Sequence, residues 1–153
     1  MSPSTEIRDF LHKHLQAIFD SDLQTYHATT VPELTLYEWY ITPHRIDGIP
    51  FHDFQMAEAA RSDTPSAPLA PDREGLPQKP RTRFDLANYA EQRYGDTAIA
   101  TYTMLISQST ERGVVVRSYN ESRVMVKFSD GWKVVHVHKS PAYASPLEPS
   151  GQR

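Results

Sequence analysis

Arg123 and Lys139 stand inside two apolar runs, RVMVKF and WKVVHVHK, near the C-terminal end of the chain. A charge set among apolar neighbours needs a partner, because an unpaired one is costly to bury. Arginine presents a planar fork suited to a carboxylate, and lysine adds a point charge. Together they can share one site. The alternative is structural: both cations pair with Glu121 and a neighbouring carboxylate at a sheet edge. A second set of groups suits proton transfer. His52 titrates in the range a general base needs, and Glu38, inside LTLYEWYI, is a carboxylate among aromatic and aliphatic residues. Tyr26, Tyr37, Tyr40 and Tyr102 supply phenols that can donate to a developing enolate. Catalytic candidates are therefore His52, Glu38 and Tyr37. His136 and His138 form an HxH pair, a zinc-ligand spacing, but the other histidines are scattered and supply no third ligand at a clear spacing. No metal and no cofactor is expected.

The strands decide whether the two cations can meet. Phe128 and Trp132 bracket Ser129-Asp130-Gly131, which suits a three-residue hairpin loop with Gly131 in the left-handed conformation. In that register Glu121, Arg123, Met125, Val135, Val137 and Lys139 share one face, with Glu121 opposite Lys139. The other face carries Val124, Val126, Phe128, Trp132, Val134, His136 and His138. A slip of one residue would instead put Arg123 beside His138. Both faces are largely apolar, so one needs helices of the same chain and the other a second subunit.

Upstream, Ile7, Phe10, Leu11, Leu15, Ile18 and Phe19 recur at helical spacing, with Ser2 or Ser4 as cap. A short helix follows between Ser21 and Thr30, then a strand over Leu34 to Ile41. Pro50 suits the first turn of a helix with Phe51, Phe54 and Ala57 along one side. Prolines crowd residues 63–80, favouring a surface loop. Four strands follow, near 83–90, 98–109, 114–128 and 132–139, and residues 141–153 read as a flexible tail. Helices first and antiparallel strands afterwards indicate an α+β domain over 1–140: a curved antiparallel sheet backed by N-terminal helices, cone-shaped with an internal pocket. In that fold Glu38 would pair with Arg45 or Arg83.

The whole-chain properties exclude several classes. With 153 residues and a net charge of −3, the chain is one ordinary globular domain. A sequence pI near 6.1 gives no basic surface for nucleic acid. There is no cysteine for thiolate chemistry, and no apolar run reaches the length of a membrane span. A cytoplasmic location is the default expectation.

Three segments carry a family resemblance. DLQTYHATTVPELTLYE from Asp22 to Glu38, GIPFH from Gly48 to His52, and the closing hairpin from Glu121 to Ser140 resemble, in the same order, segments of the association domain of calcium/calmodulin-dependent protein kinase II. The resemblance implies the nuclear transport factor 2 and ketosteroid isomerase fold, a cystatin-like roll, and a role as an assembly hub. It also implies a deep pocket whose basic residues hold a small carboxylate. By position, Arg123 matches a pocket arginine, Lys139 stands where another would be, and His52 matches a pocket histidine. Thr103 stands where the family has a third arginine, and Tyr26 belongs to the first matching segment, so both are kept as ligand-binding candidates. The implied partners are further copies of the chain, as a homodimer or higher oligomer, and a small carboxylate. Kinase activity is not implied. A small isomerase, dehydratase or cyclase using the same pocket is the alternative.

Overall fold

The computed structural model describes residues 5–62 and 82–142. The proline-rich stretch at 63–80 and the tail beyond Ala142 lie outside the described residues. Helix α1 spans Glu6–Phe19 and α2 spans Leu23–Ala28. Thr5 precedes α1 and its hydroxyl donates to Asp9 at 2.8 Å; Ser2 and Ser4, expected as caps, are outside the described residues. Asp22 caps α2, accepting from the Thr25 amide at 3.1 Å and the Thr25 hydroxyl at 2.6 Å, which satisfies donors the first turn leaves open.

Strand β1 covers Thr30–Glu38, and the two-residue β2, Ile46–Asp47, pairs with it. Helix α3 runs Pro50–Ser62. The remaining strands are β3 (Thr82–Tyr94), β4 (Thr97–Thr110), β5 (Gly113–Phe128) and β6 (Gly131–Pro141). They form one six-stranded sheet in the order β2-β1-β6-β5-β4-β3. Its neighbours are antiparallel except at one seam, where β1 and β6 run parallel. The α+β architecture is as expected from the sequence; that parallel seam and the short β2 are additions. Two local patterns explain why both were missed. A two-residue strand has no periodicity to detect, and parallel pairing leaves no signature in either strand alone.

The closing hairpin refines the expected register. Phe128 pairs with Gly131 around a two-residue Ser129-Asp130 turn, and Met125 pairs with Val134. Val135 then bulges out, Val124 pairs with His136, and Glu121 meets Lys139. The tighter turn and the bulge offset one another. Glu121 and Lys139 are partners as expected, but Trp132 and Val134 turn inward, where they are 7% and 0% exposed. This corrects their expected place on the outer face: a bulge changes which side of a strand its residues face. The apolar patch expected from Phe128, Trp132 and Val134 thereby reduces to Phe128 alone.

Helix α1 lies across the concave face, burying Ile7, Leu11 and Leu15 against Leu34, Leu36, Met104, Met125 and Val137. Each such side chain contributes about 1.5–3 kcal/mol of burial free energy. Among the described side chains of α3, His52 and Met56, one turn apart, are buried, while Phe51 and Phe54 are exposed. The expected stripe of Phe51, Phe54 and Ala57 is therefore not the packed face. His52 is.

Candidate functional site

The inner face of β5 sets the site. Arg117, Tyr119, Glu121 and Arg123 alternate along it, passing from the exposed end of the strand to the core. Opposite them on β4 lie Ile106, Met104, Tyr102 and Ala100, and β6 brings Lys139 beside Glu121. The parallel seam places Glu38 of β1 directly next to Lys139.

At the core end these groups form one continuous polar network. Arg123, 2% exposed, donates from Nε to the Tyr102 hydroxyl at 2.9 Å and from Nη1 to His14 Nε2 at 3.0 Å. The Tyr102 hydroxyl donates to Glu121 Oε2 at 2.7 Å, and that oxygen lies 3.6 Å from Arg123 Nε. Lys139 Nζ donates to Glu38 Oε1 at 2.8 Å and lies 3.8 Å from Glu121 Oε1. His52 Nε2 is 3.8 Å from Glu38 Oε1, and its Nδ1 is hydrogen-bonded to the Tyr26 hydroxyl. One buried and one half-buried cation thus face two buried carboxylates, and the floor is electrically balanced. Glu38 pairs with Lys139, not with Arg45 or Arg83, which bind Asp47 and Asp85 at the surface.

The protonation states follow from burial and these neighbours. Burial pulls Lys139 down, but the carboxylates of Glu121 and Glu38 more than offset it and hold the ammonium above its ordinary value. Burial pushes Glu38 up, and Lys139 overcomes it, leaving the carboxyl below the usual range. His52 is pushed down to about 4 by burial and then by Lys139. His14 is driven well below the ordinary value by burial and the Arg123 guanidinium. With Arg123 donating to Nε2, the His14 proton sits on Nδ1 and is donated to Thr29 Oγ1 at 2.8 Å; Thr29 in turn donates to the Thr25 carbonyl at 2.8 Å. Every member of this relay has a defined direction. Burial likewise raises the Tyr26 and Tyr102 phenols, which stay protonated donors.

Two cavities open onto the network. One, of about 350 Å³, reaches Glu121, Arg123 and Lys139 between walls of Leu15, Ile18, Phe19, Met104 and Ile106. Trp39, Tyr40, Tyr119 and Arg117 also line it. The second, of about 260 Å³, is lined by Glu38, His52, Gln55 and Met56. Ile18, Tyr40 and Lys139 belong to both.

Arg123, Lys139, His52, Glu38 and Tyr26 therefore come together. Thr103 does not: it alternates with the inward Tyr102 and bonds Asn120 Oδ1 at 2.9 Å on the outer face. Tyr37 also faces outward, its ring 5.1 Å from that of His138. The HxH pair shares this outer face, and His136 Nδ1 is 2.8 Å from Thr35 Oγ1 across the β1–β6 seam. Among the described residues, no three His, Cys, Asp or Glu side chains are grouped to hold a metal ion, and no helix is long and apolar enough to cross a membrane. Sequence reasoning missed His14 as a site member. Its signal was a polar residue within the apolar stripe of Ile7, Leu11 and Leu15.

The sequence model of the family described as "calcium/calmodulin dependent protein kinase II association domain" matches residues 3–66 and 74–143. No curated protein matches the sequence. Among solved structures, the chain is similar to the kinase II hub of S. rosetta, with 28% identity and a TM-score of 0.69 over 93% of this chain and 98% of that one. It is similar also to the kinase II hub homology domain of Chlamydamonas reinhardtii, with 26% identity and a TM-score of 0.73 over 90% and 96%. A nuclear transport factor 2-like protein from Cytophaga hutchinsonii shares the fold at 15% identity, with a TM-score of 0.65 over 92% and 99%.

Proposed function

Because the chain belongs to the calcium/calmodulin dependent protein kinase II association domain family, we propose that it is a self-associating domain whose cone holds a small anionic molecule, a carboxylate. The observation that carries the pocket is the placement of buried Arg123, Glu38 and Glu121 and half-buried Lys139 on the walls of two cavities. A domain that needed only a core would do as well with apolar residues there, since buried ion pairs contribute little net stability. Perturbed ionisable groups gathered at a cavity favour a ligand role. On this reading Lys139 and Arg123 form the polar floor, and His52 and Tyr26 close the adjoining space.

Assembly is supported by family membership and by the apolar surface the fold leaves outside, including Phe51, Phe54, Val114, Val115 and Val116. Sedimentation velocity tests it: a mass that is a multiple of the chain is expected, and a lone monomer at tens of micromolar would remove the assembly half. Titration calorimetry with short-chain monocarboxylates tests the pocket half. Saturable binding at one site per chain, absent for the matching uncharged amides, is the expected result. Absence of binding heat for every carboxylate would reject it.

One arrangement favours the acid–base alternative. His52, held neutral, has a phenol on one ring nitrogen and a carboxylate 3.8 Å from the other. An isomerase or lyase would use it as base, and enolisable ketones losing their α-hydrogen to deuterated water only in the presence of His52 would support that reading.

A further inference from the structure

We infer that the larger cavity is built for an aromatic carboxylate, with the ring held by Trp39, Tyr40 and Tyr119 and the carboxylate met by Arg117 at the mouth. This rests on the proposal that the pocket takes a small anion and names its class and its anchor. Of the three cations lining this cavity, Lys139 is bonded to Glu38 and Arg123 is held by Tyr102, His14 and Glu121. An anion that took either floor cation would leave a carboxylate buried without its partner. Arg117 forms no ion pair among the described residues and is exposed. Its guanidinium offers a carboxylate a two-toothed contact without breaking anything.

The aromatic groups fix the rest of the ligand. Trp39 and Tyr40 cross at ring centroids 4.9 Å apart, Trp39 meets Tyr119 at 5.2 Å, and Tyr40 stacks on Tyr119 at 6.1 Å. Trp39 and Tyr40 lie just past the end of β1 and Tyr119 lies within β5, and all line the cavity. Tyr119 is the next inward residue after Arg117 on β5, so ring and charge are read by neighbours on one strand face. Behind them Leu15, Ile18, Met104 and Ile106 supply an apolar back wall. A cavity of about 350 Å³ lies near the lower end of small-ligand sites, and its faces favour one flat ring on a short acid chain. Aromatic rings stacked offset or edge to face also gain beyond area burial.

Titration calorimetry on the whole chain at pH 7 separates the possibilities with four probes: 3-phenylpropionate, butyrate, 3-phenylpropanamide and phenethylammonium. The expected order puts 3-phenylpropionate first, roughly ten- to hundred-fold ahead of its uncharged amide, the ratio for losing a charge-assisted contact. Arg117→Gln, at an exposed position, should remove that advantage while leaving the unfolding midpoint unchanged. Tyr119→Leu should erase the preference over butyrate. Butyrate binding as tightly as 3-phenylpropionate would leave the anion pocket standing and overturn the aromatic class. Undiminished 3-phenylpropionate binding in Arg117→Gln would overturn the anchor. Tighter binding of phenethylammonium would reverse the sign of the site, and no binding by either carboxylate would remove the inference together with the pocket beneath it.

Discussion

Arg123 and Arg117 project from the same face of β5, yet they live in different media. Arg123 is 2% exposed and bound to a histidine, a phenol and a carboxylate. Arg117 is exposed, with open space beside it. The same side chain type thus serves as a structural tie at one end of the strand and, at the other, as an exposed hydrogen-bonding fork with no ion pair among the described residues. What differs is the neighbourhood: α1 and the β1–β6 seam close over the core end, and β5 extends past them at the other. A cation in an apolar strand is a sign of buried charge, but only its surroundings decide whether that charge is available to a ligand.

Substitution tests the contrast directly, and the largest effect belongs at the floor. Arg123→Met leaves Glu121 buried with only Tyr102 and Lys139 and removes the donor to His14; a loss of about 3–5 kcal/mol is expected in urea unfolding. A loss under about 1 kcal/mol would show the floor to be wetter than described. Acid should come next. A proton binds His52 more readily in the unfolded chain, where the ordinary value of 6.5 applies, than in the fold at about 4. Stability should therefore fall as pH drops below 6.5 and finish losing this contribution near 4, by about 3 kcal/mol in all. His14 shifts in the same direction and deepens the loss. The Glu38 carboxyl, held below its ordinary value of 4.5, begins to lose its contribution as pH falls below 4.5 and adds to the loss. Unfolding curves at pH 7.5, 5.5 and 4 measure the slope, and His52→Gln should flatten it between 6.5 and 4.

Tyr102→Phe sharpens the comparison by removing a single oxygen between Arg123 and Glu121. About 1–3 kcal/mol is expected, since both groups lose a partner but keep one another at 3.6 Å. The smallest effect should come from the mouth. Arg117→Gln is expected to alter stability by no more than about 0.5 kcal/mol, and a larger loss would mean that Arg117 too has a structural duty.

The sequence carried most of the fold because most of it is written in local patterns. The stripe of Ile7, Leu11 and Leu15 gives α1, and the β-rich runs give the long strands. The facing of Glu121 and Lys139 was legible because two deviations, the tight turn and the Val135 bulge, offset one another. Trp132 and Val134 lie between those deviations, so their facing was read in the wrong sense. Arg123, Lys139 and Glu38 were legible as charges among apolar neighbours, and His52 through its titration range and the family resemblance. Their pairing was not, because Glu38 and Lys139 meet across a parallel seam that no turn announces. Arg117 and Tyr119 gave no signal, since a polar residue near a strand end is what an exposed edge also produces.

That seam has a consequence for how the chain is made. Glu38 is synthesised 101 residues before Lys139, an interval of roughly 5 to 20 s at ordinary elongation rates. Throughout it, β1 has only the two-residue β2 from its own sheet to lie against. A nascent LTLY-WYI run would be a sticky, aromatic strand with an open flank. The glutamate in its middle acts as a gatekeeper, a charge that discourages pairing with the wrong strand. In the finished fold β6 supplies the lysine that neutralises that charge.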